Sequence, residues 1–249
     1  MQLTNTTQSD ASLDCPAMVK WVTGPFDPVS LKKWASWLKE DELPRLAGYR
    51  RTSDQNLFLA RRGLARECLG TTRSIKPQSI RFIEKPSGKL SWTSDDFRYG
   101  TACCSMEEFD FSISRTAEMA AAAVCRTHDV GIDVERITRL PELETLATQN
   151  LHPLEHEQWL RLPSEERLHA YYRLWVVKEA FVKGLGTGFV LSPREILANN
   201  AIGDTKGIIH ETWQSQNVHK AAFSLKSIGS NCLIAVVTLN RTEPDAPIS

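Results

Sequence analysis

The feature that most constrains the fold is a pattern that occurs twice along the chain. A helical pattern over 53–69 precedes two short β-type segments between 111 and 124, and a helical pattern over 167–183 precedes two similar segments between 223 and 236. Two successive β-type segments predict a hairpin, and a helix over one face of a small sheet is a stable two-layer unit. We therefore predict an α+β fold with a pseudo-twofold duplication. Each half is a long helix packed on a small antiparallel sheet, and the active site lies in the cleft between the halves.

This pattern also sets the expected boundaries. The N-terminal half is expected over 18–128 and the C-terminal half over 129–240, with a disordered or loosely attached tail over 1–17 and a flexible tail over 241–249. Both terminal segments are rich in polar residues and lack helical or strand periodicity.

Helix boundaries can be predicted from the residues at each end of the two helical patterns. Thr52 or Ser53 is expected to cap the first helix. Gly70 is expected to end it, and Gly184 is expected to end the second helix, because glycine readily adopts the left-handed conformation that follows a helix.

Composition excludes several functional classes. Thirty basic residues balance thirty acidic ones, so a strongly basic nucleic-acid binder is excluded. The sequence shows neither an apolar run of the roughly 20 residues that cross a bilayer nor a secretory signal. Six cysteines occur without a C-x-x-C pair, so a zinc knuckle is not expected, and the length of the chain and the lack of a secretory signal favour reduced thiols over disulfides. We expect a cytoplasmic protein that binds neither nucleic acid nor membrane.

Acidic residues form two patterns that can meet in the cleft. The strand predicted over 130–137 places Asp133 and Glu135 on one face, and the second helix places Glu179 one turn before Lys183. These residues can belong to a solvated strand face and a surface ion pair. If they converge instead, their hard oxygen ligands suit Mg²⁺.

A group of basic residues surrounds the first helix. It can form a solvated helix face or a patch that binds phosphate groups, which match the planar guanidinium group. The six arginines are Arg45, Arg50, Arg51, Arg61, Arg62 and Arg66.

Two segments together resemble the paired signature of the 4′-phosphopantetheinyl transferase superfamily, in its surfactin-synthetase-activating (Sfp) type. They are 131–135 (GIDVE) and 175–183 (WVVKEAFVK), and 88–89 and 109–114 resemble two further motifs that hold coenzyme A. The resemblance implies Mg²⁺-dependent transfer of 4′-phosphopantetheine from coenzyme A to a serine of an apo acyl, polyketide or peptidyl carrier protein, with release of 3′,5′-ADP. It also implies a monomer that contains both halves.

The resemblance also implies individual roles. Glu179 would be the general base, and Lys183 would stabilise phosphate charge. The metal ligands would be Asp133, Glu135 and Glu179. The coenzyme A-binding residues would be Lys89, Ser112, Arg45, Arg51 and Lys183.

Two departures from the family pattern keep other functions open. Leu90 replaces a usual proline, and Ile113 replaces a histidine that grips the nucleotide. Coenzyme A binding is therefore either weakened or supported by an arginine of 45–62. A non-catalytic protein that binds coenzyme A or a carrier, and a different Mg²⁺-dependent enzyme that cleaves pyrophosphate, remain alternatives. We expect a carrier to dock near 186–191.

Overall fold

The computed structural model describes residues 8–9, 17–95, 109–186, 191–211 and 221–240. They form an α+β fold of helices and antiparallel sheets. The helices are α1 (Pro28–Ala35), α2 (Leu43–Ala47), α3 (Thr52–Arg73), α4 (Leu143–Asn150), α5 (Pro153–Leu160) and α6 (Ser164–Leu185). The strands are β1 (Gln8–Ser9), β2 (Ala17–Thr23), β3 (Ile80–Glu84), β4 (Leu90–Ser94), β5 (Asp110–Arg115), β6 (Met119–Cys125), β7 (His128–Arg136), β8 (Ile196–Leu197), β9 (Lys206–Glu211), β10 (Ala221–Ile228) and β11 (Cys232–Asn240).

The two predicted hairpins are present, and each belongs to a larger sheet. One sheet has the strand order β1-β2-β6-β5 and the other β7-β11-β10-β9-β8, while β3 and β4 form a separate hairpin. All neighbouring strands pair antiparallel. In each large sheet, the strand before the long helix pairs with the second strand of the hairpin after it.

The two long helices extend beyond the predicted boundaries. Helix α3 continues through Gly70, and Ser74 adopts the left-handed conformation that ends it, so the predicted stop at Gly70 is wrong. Its cap position is Arg51, so the predicted cap at Thr52 or Ser53 is also wrong. Helix α6 likewise continues past Gly184 to Leu185, so the predicted stop at Gly184 is wrong, and Gly186 caps its C-terminus with a φ of +68°.

The core consists of three groups of buried side chains. Helix α6 packs on the five-stranded sheet around Phe181 and Phe223, and helix α3 packs on the four-stranded sheet around Leu64 and Phe111. The third group lies between the two sheets and includes Ile132. The two halves therefore share a continuous interior, and none of the described helices is long and apolar enough to cross a membrane.

Side chains of β5 join the two large sheets by accepting hydrogen bonds from alternate backbone N–H groups of β7. Strand β7 lies at the edge of its sheet, and these bonds provide acceptors for N–H groups that have no neighbouring strand on that side. The pairs are Asp110 Oδ2 with Val130 N (2.8 Å), Ser112 Oγ with Ile132 N (3.2 Å) and Ser114 Oγ with Val134 N (3.3 Å). We call this set the β5–β7 ladder.

The observed strands can be compared with the boundaries expected for the two tails and the two halves. The segment expected as an N-terminal tail contains β1, which pairs with β2, and β2 begins at Ala17. Strand β7 begins at His128, next to the expected junction between the halves. Residues 241–249 lie outside the described part of the chain.

Candidate active site

A close backbone contact brings β7 against α6. A Cβ atom at Gly131 would lie 1.8 Å from the carbonyl oxygen of Ala180 and 2.5 Å from the backbone nitrogen of Gly184. Only glycine allows this approach, because such distances are well inside van der Waals contact. The contact sets the acidic face of β7 beside the helix that carries Glu179 and Lys183.

Asp133 is buried and forms the centre of the site. Its Oδ1 accepts hydrogen bonds from Lys183 Nζ at 2.5 Å and from Ser114 Oγ at 2.8 Å. Its Oδ2 is also buried, but it has no hydrogen-bond partner among the described residues. A buried carboxylate oxygen without a donor is costly, so this atom is available to a ligand.

Glu135 lies on the same face of β7 and is held by an indole. Trp175 Nε1 donates a hydrogen bond to Glu135 Oε1 at 3.0 Å. Burial raises the pKa of Glu135 to about 7, the charges of Asp133 and Glu179 add to this effect, and Trp175 and Lys183 oppose it. The pKa of Glu135 is therefore close to neutral pH when no cation is present.

Glu179 is half-buried on α6, one turn before Lys183. Burial raises its pKa, the negative charge of Asp133 raises it further, and Lys183 lowers it. A carboxylate with a raised pKa is a better proton acceptor at neutral pH.

Negative charges among the three predicted metal ligands raise the pKa values of Glu135 and Glu179. The three side chains do not, however, form a preformed coordination sphere. In the described ranges, no group of three His, Cys, Asp or Glu side chains is arranged to hold a metal ion. Lys183 occupies one oxygen of Asp133, and Trp175 holds one oxygen of Glu135. A cation at this position would therefore use the remaining oxygens, such as Asp133 Oδ2, which has no hydrogen-bond partner among the described residues.

A cavity of about 470 Å³ opens beside these residues and is bordered by both halves of the chain. Its size is within the range of small-molecule sites. Five sequence-predicted site residues line it, and they are Arg45, Lys89, Ser112, Glu179 and Lys183. Further lining residues are Arg61, Arg62, Glu84, Ser87, Gly88, Leu90, Phe111, Ile113, Val182 and Gly186.

Some arginines of the predicted patch line the cavity, whereas others stabilise the fold or lie elsewhere on the surface. Arg66 is fully buried and forms hydrogen bonds to both carboxylate oxygens of Glu42, so it is structural. Arg45 lies at the cavity in an exposed ion pair with Glu84 at 2.6 Å. Arg51 is exposed at the start of α3 and is not among the residues that line the cavity, so the structure does not bring it to the site.

Two arginines in the cavity have donors without hydrogen-bond partners among the described residues. These donors are Arg61 Nε and Arg62 Nε and Nη1, although Arg62 Nε lies 3.5 Å from Glu42 Oε1. Burial lowers the pKa of Arg62 to about 10 and also lowers that of Arg61. Both remain charged at neutral pH, so the part of the cavity that these two arginines line is suited to an anion. Ile113 lines the same cavity.

Lys89 has partners within the protein. Its Nζ donates to Asp110 Oδ2 at 2.6 Å and to the carbonyl oxygen of Gly184 at 2.7 Å. It thereby connects the β3–β4 hairpin with β5 and with the end of α6. A phosphate ligand would have to share this ammonium group with Asp110.

Some of the important contacts were not predicted from the sequence. The alternation of Asp110, Ser112 and Ser114 on β5 was the available signal for the β5–β7 ladder. Lys178, inside the segment 175–183, is buried and pairs with the buried Glu155 at 2.6 Å. It anchors α6 to α5 and has no contact with the cavity among those described.

Comparison with known proteins identifies relatives of this chain. The family model described as "4′-phosphopantetheinyl transferase superfamily" matches residues 129–236. The chain is 30% identical over 158 residues to 4′-phosphopantetheinyl transferase HetI of Nostoc sp., a match that covers 64% of this chain and 63% of that protein. It is 23% identical over 238 residues to L-aminoadipate-semialdehyde dehydrogenase-phosphopantetheinyl transferase of Xenopus laevis, which covers 86% of this chain and 73% of the relative.

The extent of these matches is partial. The chain spans less than two thirds of the length of the Nostoc relative. The crystal structure of Thermotoga maritima holo-acyl-carrier-protein synthase matches with a TM-score of 0.31 and 26% identity, over 46% of this chain and 64% of that chain.

Proposed function

Because this chain belongs to the 4′-phosphopantetheinyl transferase superfamily, we propose that it transfers the 4′-phosphopantetheine group of coenzyme A to a carrier protein. The acceptor is a serine of an apo acyl, polyketide or peptidyl carrier protein, and 3′,5′-ADP is released. We assign the chain to the Sfp type.

The observation that carries this proposal is the distribution of charge along one cavity. Arg61 and Arg62, which retain donors without hydrogen-bond partners among the described residues, line the same cavity as Glu179 and Lys183. Coenzyme A has anionic phosphates along its nucleotide half and a reactive pyrophosphate. The arginines can bind the phosphates of the nucleotide half, and Glu179 and Lys183 can act at the pyrophosphate.

Mg²⁺ is the cofactor that the donor set supports. The unpartnered Oδ2 of Asp133 and the raised pKa values of Glu135 and Glu179 mark a cluster of negative charge that a cation would stabilise. Asp133, Glu135 and Glu179 would hold the ion. When bound, it would supply a Lewis acid that offsets charge on the pyrophosphate.

The chain's own residues perform the proton transfer and hold the phosphate. The oxygen of the carrier serine forms a bond to the β-phosphorus of coenzyme A. The bond from this phosphorus to the bridging oxygen breaks, and 3′,5′-ADP leaves with the bonding electrons. Glu179 accepts the serine proton, and Lys183 stabilises charge on the transferring phosphate.

The arrangement of the two halves supports the proposal of a duplicated, monomeric enzyme. The strand orders β2-β6-β5 and β7-β11-β10 match. A 22-residue helix follows β2 and precedes the β5–β6 hairpin in one half, and another follows β7 and precedes the β10–β11 hairpin in the other. Both walls of the cavity come from one chain, so a second copy is not needed to complete it. Size-exclusion chromatography with light scattering should give the mass of a monomer.

The test is mass spectrometry of an apo carrier protein after incubation with the protein, coenzyme A and Mg²⁺. We expect a phosphopantetheine adduct on one serine, formed by the wild type and lost with Glu179→Gln. Coenzyme A cleavage without carrier modification would support a different pyrophosphate-cleaving enzyme. Binding without any chemistry would support the non-catalytic alternative, which Ile113 at the position of the usual histidine keeps open.

A further inference from the structure

Ser114 connects three groups at the centre of the site. Its Oγ donates to Asp133 Oδ1 at 2.8 Å, accepts from Lys183 Nζ at 3.0 Å and accepts from Val134 N at 3.3 Å. A hydroxyl has one donor and two acceptor lone pairs, so all three are used. Ser114 is buried on β5, in the N-terminal half, whereas the three partners belong to the C-terminal half.

These contacts determine which oxygen of Asp133 is available. Both donors, Ser114 and Lys183, are directed to Oδ1, and Oδ2 has no partner among the described residues. Without the hydroxyl, the carboxylate would lose one of the two bonds that set its orientation. Lys183 would also lose one of its two described acceptors and would retain Asp133 as the other.

We propose that Ser114 is a positioning residue for the metal site, an inference that rests on the proposed function. Its hydroxyl orients Asp133 so that Oδ2 is free for a cation, and it holds Lys183 when Asp133 becomes a metal ligand. Residues that orient a ligand in this way contribute to metal affinity without touching the ion. The C-terminal half, which carries all three proposed ligands, therefore depends on a side chain of the N-terminal half.

Ser112 provides a matched control. It forms the neighbouring rung of the β5–β7 ladder with Ile132 N, and in the described part of the chain it has no hydrogen bond to Asp133 or Lys183. Ser112→Ala and Ser114→Ala each remove one hydroxyl and one rung. A purely structural role of the ladder would make the two variants alike.

The decisive measurement is the affinity for Mn²⁺ alone, by electron paramagnetic resonance of the free ion, without coenzyme A or carrier. We expect Ser114→Ala to weaken binding by about 10–100-fold, whereas Ser114→Thr and Ser112→Ala stay close to wild type. Equal affinities of Ser114→Ala and wild type would overturn the inference, as would equal losses in both alanine variants or a wild type that binds no Mn²⁺. Thermal unfolding checks each fold, and Ser114→Cys replaces Ser114→Ala if the latter does not fold.

Steady-state transfer kinetics separate this inference from the proposed function. Ser114→Ala should lower kcat and leave the KM for coenzyme A nearly unchanged, because Arg61 and Arg62 are intact. A rise in KM at constant kcat would contradict a role at the metal site. If the wild type binds Mn²⁺ but leaves every apo carrier unmodified, the proposed function fails, and the Mn²⁺ series still decides the role of Ser114.

Discussion

Replacing Glu135 by glutamine should stabilise the metal-free protein at alkaline pH. The substitution preserves the size of the side chain and an oxygen that can accept the hydrogen bond from Trp175. It removes a negative charge that is partly buried beside Asp133 and Glu179. Glutamine remains neutral at every pH, so it imitates the protonated acid.

The sign follows from the raised pKa. Glu135 titrates near 4.5 in the unfolded chain and near 7 in the folded protein, so between these values the folded state binds more protons. Its contribution is favourable at low pH and is lost as the pH rises through 7. The shift corresponds to about 3 kcal/mol, which solvent screening of this partly exposed side chain reduces to roughly 1–2 kcal/mol.

Urea unfolding in EDTA at pH 4.5 and pH 8 measures this effect as a difference between variant and wild type. We expect nearly equal free energies of unfolding at pH 4.5 and a more stable Glu135→Gln at pH 8. Glu166→Gln, at an exposed position in the first turn of the same α6, is the control and should show little dependence on pH. A pH-independent difference for Glu135→Gln would refute the proposed charge repulsion.

Three further substitutions test the cavity and the proposed metal site. Arg62→Ala should raise the KM for coenzyme A by about 10–100-fold with a smaller change in kcat, because a charge-assisted contact is worth about 1.5–3 kcal/mol. Ile113→His should leave that KM unchanged or raise it, because arginines already supply donors to the same cavity; a lower KM would show that the phosphate grip is incomplete. Asp133→Ala should abolish Mg²⁺-dependent transfer in the carrier assay while urea unfolding shows a retained fold, and near-normal turnover would contradict the metal assignment.

Local patterns were sufficient to predict the main elements of the fold. The alternation at 130–137 and the paired apolar segments gave β7 and both hairpins, because strand periodicity is a local property. Helix ends were less predictable. Gly70 lies against Pro77 with only 3.1 Å for an added Cβ, so packing explains this glycine rather than a helix stop.

The roles of charged residues depended on partners distant in sequence. Arg62 and Arg66 are separated by one helical turn, yet Arg66 is saturated by Glu42 and Arg62 retains unpartnered donors among the described residues. The helical pattern alone makes the two equivalent. Lys89 was expected at a phosphate, and its pairing with Asp110 depends on the packing of β5 against the β3–β4 hairpin.

The opposite charges that line the cavity have a consequence for the order of events in the proposed reaction. Glu135 and Glu179 already share a partly buried site with Asp133, and Lys183 is the cation that pairs with this cluster among the described residues. An anionic pyrophosphate would add to this repulsion, whereas Arg61 and Arg62 retain donors without hydrogen-bond partners among the described residues and can attract an anion. Coenzyme A should therefore engage Arg61 and Arg62 first. A divalent cation held by Asp133, Glu135 and Glu179 would offset the charge that opposes its pyrophosphate, so we expect the cation and the nucleotide to strengthen each other's binding.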